Sequence, residues 1–409
     1  MVAASICHLI IGLMSRILGC AVLSLITLTL VAQARPPQQS HAPNSTGVLI
    51  GWSPQGDSAD PDAEKALEEA KQDRELTVPS EVTLPDGSKV SHLNQTAAAD
   101  PLLTAWIFVS EGKVTARLMQ HIIVPRKDGF WQLGSNTDTA QLEGANYDED
   151  LFWLAPLGQQ PKLSTIKSDE VNCSTSTARR DLTYVGPEYF GYSEFGSAEC
   201  AHYGEGHYYQ MWPLSTAPSI NSPKDAPVDL GTLLGSAAVA QHRRINREAK
   251  RWPNSDCGEN GFEGETTQWT VRHRQGRWEA VAKFHGSGAG ICDRYHQDAV
   301  LDVSLPRSLV AVQAPLPVTW KILKGAFPDA VDAVTSPDAK LVIVFTASQA
   351  IVASVEAAAL RPLSPPIKIA PGKPVMLEWA VGANAARWNQ VLSTLPPPNP
   401  KATTRPATQ

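Results

Sequence analysis

Residues 200–212 read CAHYGEGHYYQMW, and within eight positions they bring together Cys200, His202, Glu205 and His207. These are side-chain types that ligate transition metals or exchange protons near neutral pH. Set on a β-hairpin, their chemistry depends on the turn. With Gly204-Glu205 as a two-residue turn, His202 lies opposite His207 and both imidazoles share a face. With Glu205-Gly206 as the turn, His202 faces Tyr209; with residues 204–206 all in the loop, it faces Tyr208. Zinc takes three protein ligands plus water, or four. Glu205 sits on the turn and points away from the imidazole pair, and Cys200 leaves the ligand set if it is oxidised. A further ligand then has to come from His285 or His296, which flank Cys292. An aromatic hairpin with a disulfide at its foot accounts for the same residues without a metal.

Other stretches offer oxygen ligands or loops. NYDEDL supplies Asn146, Asp148 and Asp150 at alternating positions, and DCGENGFEGE supplies Asp256, Asn260 and Gly261 in partial EF-hand register, with Thr267 where the closing Glu belongs. Calcium is the cation such loops would take; solvated acidic turns explain both equally. HGSGAG at 285–290 has glycines, but His285 and Ala289 stand where a nucleophile elbow around Ser287 needs Gly. HExxH, GxSxG, Walker and GxGxxG patterns do not occur. Trp106, Trp131, Trp153 and Trp212 could stack on sugars if exposed; core packing is the competing role.

The elements that would hold these groups are mostly short strands. QWTVRHRQGRWEAVAKF predicts a hairpin with Gln275-Gly276 as its turn, setting His273 against Trp278, Val271 against Ala280, Trp269 against Ala282 and Arg272 against Glu279. This register sorts apolar from polar residues and makes His273 a packed core histidine. Pro85-Asp86-Gly87 and Asp128-Gly129 read as turns of two further hairpins. The second pairs Val124 with Leu133 and Arg126 with Trp131, with Pro125 on an edge strand. Helical spacing of Leu234, Ala238, Gln241, Ile245, Ala249 and Trp252 predicts a central helix over 233–252. Its other side carries Arg243, Arg244, Arg247, Lys250 and Arg251, either as a solvated face or as a contact for an acidic partner or anionic membrane. Asp60-Pro61 starts an N-terminal helix. Residues 374–381 form a last strand, and 384–392 a short helix with Trp388, Val391 and Leu392 inward.

At 409 residues, 43% hydrophobic and 19% charged, the chain can bury a large core. Its net charge of -6 disfavours general nucleic-acid binding. The apolar run ILGCAVLSLITLTLV followed by Ala32-Gln33-Ala34 predicts a signal peptide cleaved after Ala34, and so a periplasmic or extracellular protein. Cys7 and Cys20 leave with it. The remaining Cys173, Cys200, Cys257 and Cys292 are expected as two disulfides, in any of three pairings. The expected organisation is a signal at 1–34, linker and helix at 35–100, a β-rich domain at 101–225, a second β-rich part with the central helix at 226–395, and a tail at 396–409.

DAVTSPDAKLVIVFTASQAIVASV adds a Ser336-Pro337-Asp338 turn before the apolar strand Leu341–Phe345, answered by Ile351–Val355. Residues 331–355 thereby resemble one blade of a bacterial β-propeller, with Ala339 where the blade pattern has glycine. The fold expected for the whole chain is mainly β, of antiparallel hairpins and sheets in a distorted sandwich or propeller-like form, with one long central helix and short terminal helices. The leading functional expectation is a non-catalytic binding or structural protein without a cofactor, its partner a glycan, the cell envelope or another protein. The alternatives are a secreted, metal-dependent hydrolase using His202, Glu205 and His207, with zinc or calcium, and a carbohydrate-binding module.

Overall fold

A computed structural model of the chain describes residues 45–53, 82–83, 89–90, 102–142, 145–159, 175–198, 206–215, 226–250, 261–286, 296–311, 314–356, 359–369 and 372–398. The fold is mainly β, with small antiparallel sheets in a propeller-like ring and, among the described residues, three helices.

The strands follow one another around the ring nearly in chain order. β1 (Ser45–Ser53) is followed by a two-stranded hairpin of β2 (Val82–Thr83) and β3 (Lys89–Val90), which flanks the expected turn at 85–87. β4 (Leu103–Ser110) and β5 (Lys113–Gln120) then extend β1 into a sheet. A meander of β6 (Ile122–Arg126), β7 (Gly129–Leu142) and β8 (Ala145–Pro156) comes next. It joins the meander of β9 (Thr175–Val185), β10 (Tyr189–Ala198) and β11 (Gly206–Pro213) through a short parallel contact of Asn146–Glu149 with Thr175–Ala178.

Helix α1 (Leu230–Ala249) leads to β12 (Phe262–Glu263), β13 (Trp269–Arg274), β14 (Arg277–Gly286) and β15 (His296–Leu301), which form one sheet around β14. Helix α2 (Trp320–Ala326) precedes β16 (Asp332–Thr335), β17 (Leu341–Phe345), β18 (Gln349–Glu356), β19 (Ala359–Pro362) and β20 (Ile367–Lys368). Finally β21 (Lys373–Val381) returns to pair with β1, and helix α3 (Ala383–Leu392) packs behind them.

Shared cores fasten each sheet to the next. Leu49 and Met119 pack with Ile122, Leu133, Phe152, Leu182 and Phe190. Tyr184 and Met211 pack with Trp269, Val271, Ala280 and Phe284. Val48, Ile50 and Trp52 pack with Val334, Ile343, Phe345 and Val352, which closes the circuit. The first sheet therefore takes three strands from the N-terminal side and its remaining strand, β21, from the C-terminal side. Blade-like packing also explains why residues 331–355 resemble a propeller unit: β16, β17 and β18 form a meander whose Ser336-Pro337-Asp338 turn is fastened by Ser336 Oγ accepting from Leu341 N at 3.0 Å.

Several local expectations are met. Gln275 and Gly276 both have positive φ, at 49° and 84°, which is the turn a two-residue hairpin needs, and every predicted cross-strand pair of β13 and β14 is present. Pro125 is on β6, at the end of its sheet. Others need correction. The segment expected as linker and helix at 35–100 contains β1, whose VLIGW run is buried on both faces and so lacks the alternation of a half-exposed strand. The 128–129 hairpin turns at Lys127-Asp128, because Arg126 pairs with Gly129; Val124 then faces Trp131 and Ile122 faces Leu133. That two-residue offset leaves every side chain on its expected face. The central helix starts at Leu230, where Asp229 accepts from Gly231 N at 2.7 Å, and it is interrupted at Gly235 (φ 77°). His242 takes the buried position expected of Gln241. In α3 the buried residues are Ala385 and Leu392, and Val391 is exposed. The N-terminal helix expected from Asp60 lies outside the described residues.

Candidate functional site

Of the candidate ligands at 200–207, only His207 lies among the described residues, on β11. β11 pairs with β10, setting His207 opposite Phe195, Tyr208 opposite Glu194 and Tyr209 opposite Ser193. His202 and Glu205 lie outside the described residues, as do Cys173, Cys200, Cys257 and Cys292. Asn146, Asp148 and Asp150 stand on β8, paired with Gln141, Thr139 and Thr137. An extended strand spaces alternate residues by roughly 6.6–6.8 Å along one face. The turning loop that calcium wants is therefore absent at these three positions. Of the second acidic loop, Asp256 and Asn260 lie outside the described residues, and Gly261 has φ 47°. Trp106, Trp153 and Trp212 are buried, which leaves Trp131 as the one partly exposed member of the four.

Two other arrangements come together instead. The first is a polar seam between β11 and the sheet around β14. Glu279, Lys283 and His285 alternate along one face of β14, and their cross-strand neighbours are Arg272, Asp298 and His296. Arg272 Nε bonds Glu279 at 2.9 Å, and its Nη1 bonds Asp298 at 2.9 Å. Burial works against the Arg272 charge, but the hydrogen bond and charge of Glu279 with that of Asp298 outweigh it and hold its pKa above the ordinary value. Asp298 also accepts from the Tyr209 hydroxyl at 2.8 Å and pairs with Lys283 Nζ at 3.5 Å. Lys283, almost fully buried, lies 4.2 Å from the Tyr209 ring centre. At the end of the seam the Tyr208 ring meets His285 edge-on, with centroids 6.2 Å apart.

The second arrangement joins residues from four sheets. Tyr184 on β9 packs edge-on against Trp278 at 5.5 Å, and Trp278 against His273 at 4.9 Å. His273 Nδ1 lies 2.7 Å from Asp332 Oδ2, which ties β13 to β16, while Asp332 Oδ1 accepts from Gly276 N and Ala333 N. The neighbouring strand β21 carries Glu378, whose carboxyl burial pushes up to about 7. Tyr184 is pushed well above the ordinary phenol value by burial and then by the charges of Glu378 and Glu188, and its hydroxyl donates to the Leu309 carbonyl. Among the described residues no hydrogen bond or ion pair reaches the Glu378 carboxyl, so burial alone accounts for its shift.

His273 was recognisable as a packed histidine from the register of its hairpin. Tyr184, Asp332 and Glu378 carry no local motif, since they come from separate strands and meet only when the ring closes. Among the described residues there is no group of three or more His, Cys, Asp or Glu that could hold a metal, and no helix is long and apolar enough to cross a membrane. Compared with known proteins, the chain matches no protein-family model and no curated protein.

Proposed function

We propose that this chain is an exported protein that binds its partner without transforming it, with the ring of sheets as a rigid frame. The observation that carries this reading is how the interior polar groups are spent. Arg272, Glu279, Lys283 and Asp298 neutralise one another, and Arg180 bonds Glu194 at 2.6 Å. Asp332 holds His273 and two backbone amides. Glu378 has the raised pKa of a general acid, but Tyr184 beside it already donates to Leu309. A lone carboxyl lacks the second, oppositely tuned group that acid–base catalysis uses. Export is supported by the leader-like residues 1–34 and by the even number of cysteines that would remain after its removal.

The test uses the chain recovered from an expressing cell's envelope or medium. Mass spectrometry is expected to find Arg35 as the first residue and no free thiol before reduction. The same protein is then incubated with envelope polysaccharides, peptides, esters and phosphoesters. Saturable quenching of tryptophan fluorescence without any product is the expected result. Turnover that disappears in Glu378→Gln overturns the binding reading.

A further inference from the structure

We propose that the solvent face of α1 docks an acidic polysaccharide, a chain of sugars bearing sulfate, phosphate or carboxylate groups. This rests on the binding reading above and deepens it by naming the class of partner. Arg243, Arg244, Arg247 and Lys250 fall within eight positions of the helix, and all four are exposed. Arg243, Arg247 and Lys250 stand at i, i+4 and i+7, so they form one row about 10 Å long, with Arg244 beside it. Among the described residues none of the four side chains has a hydrogen bond or ion pair. Glu248, the one acid on this stretch of the helix, is exposed and forms no ion pair among them either. A chain with a net charge of -6 thus presents a local block of unneutralised cations.

Neither the helix dipole nor packing accounts for this block. The negative end of a helix favours cations, but the effect fades within the last turn, which holds Arg247 and neither Arg243 nor Arg244. The side of α1 that packs on the fold is Leu230, Ala238, His242, Ile245 and Ala249, so the cationic face takes no part in the core. The make-up of that face selects the partner. Guanidinium groups engage two oxygens at once, the geometry of sulfate, phosphate and carboxylate. A helix that lies on an anionic membrane carries large apolar residues on the side that enters the lipid. Among the described residues no large apolar side chain of α1 is exposed, because its apolar stripe is spent on the sheet around β14. Upstream of the cations the exposed residues are Ser236, Ala237 and Ala240, which form no pocket for the anchoring side chains of a peptide. A hydrophilic chain with closely repeated charges needs neither apolar insertion nor a pocket.

Dextran sulfate is titrated into the purified, tag-free chain near neutral pH and at about 0.15 M salt, with neutral dextran and free sulfate as controls and calorimetry as the readout. Saturable binding of dextran sulfate, and of neither control, is expected, and it weakens steeply as salt is raised. Arg243→Gln combined with Arg247→Gln weakens binding at least about tenfold while the thermal midpoint stays close to that of the parent chain. The slope of log affinity against log salt falls by about two, one for each cation removed. Lys321→Gln combined with Lys368→Gln removes the same net charge from exposed positions on α2 and β20 and leaves binding near the parent value. No binding of dextran sulfate, or an equal response of the two double variants, overturns the docking face. Tighter binding to polyglutamate, or to vesicles of phosphatidylglycerol and phosphatidylcholine, overturns it as well. Shortening of the bound dextran sulfate would contradict the reading without catalysis, while a loss confined to the α1 variant would still support the face.

Discussion

Burial of Glu378 and His242 makes folding stability respond to pH in opposite directions. Glu378 has a folded pKa near 7 against 4.5 for the free group. Its protonated form is the one the fold accepts. Its contribution is therefore fully present below pH 4.5 and is lost as pH rises through 7, a change of roughly 2–3 kcal/mol. Glu378→Gln should raise stability at pH 8 by about that amount and change it little at pH 4.5, as measured by urea unfolding. His242 stacks on Phe284 at 5.1 Å, and burial lowers its pKa despite the opposing charge of Asp229. Here the neutral form is favoured, so stability falls as pH drops below 6.5. His242→Phe should flatten that acid limb of the unfolding midpoint. Ala339 has φ 59°, in the left-handed region that the propeller-blade pattern fills with glycine. Ala339→Gly is expected to add up to about 1 kcal/mol to unfolding stability. That position was legible in the sequence because turn chemistry is local. Glu378 was not, because its environment is made by strands far apart in the chain.

The hairpin of β13 and β14 was readable in full, since its turn and its alternating faces both reside in one short stretch. β1 was missed for the opposite reason. Its residues are buried on both faces, and both of its partners lie far off in sequence: β4 on one side and β21 on the other. Close packing of this strand is specified by Gly47, which lies against the Trp106 ring. A Cβ there would stand 2.0 Å from that ring. Trp106 is in turn fixed by Asn389 of α3 at 3.0 Å and by Trp388 at a centroid distance of 6.0 Å. Gly47→Ala should destabilise the protein by roughly 1–3 kcal/mol. Gly325 in α2 meets nothing within 4 Å, so Gly325→Ala should instead stabilise by up to about 1 kcal/mol. Thermal midpoints of the two alanine variants therefore move in opposite directions. Local reading of the 200–212 stretch did not find the partner of its described part: β11 pairs with β10, a strand outside the stretch.

Ring closure sets the behaviour of the whole molecule. The first described strand lies between β4 and the last strand, and three shared cores run through the circuit. Mainly β architecture was legible from turn density and alternating strands, and one propeller-like unit from residues 331–355. Closure was not, because the pairing of β1 with β21 joins positions more than three hundred residues apart. No periodicity reports such a contact. Strands fixed on both sides open only with the fold as a whole. Native-state hydrogen exchange of the amides in 45–53 and 373–381 is the direct test of this account. Residues 45–53, paired on both sides, are expected to exchange as slowly as Leu341–Phe345, which also lie between two strands, with the same dependence on denaturant; in the edge strand 373–381 only the amides facing β1 share that protection. Rapid exchange of 45–53 while 341–345 stays protected would contradict a ring closed by its first and last strands.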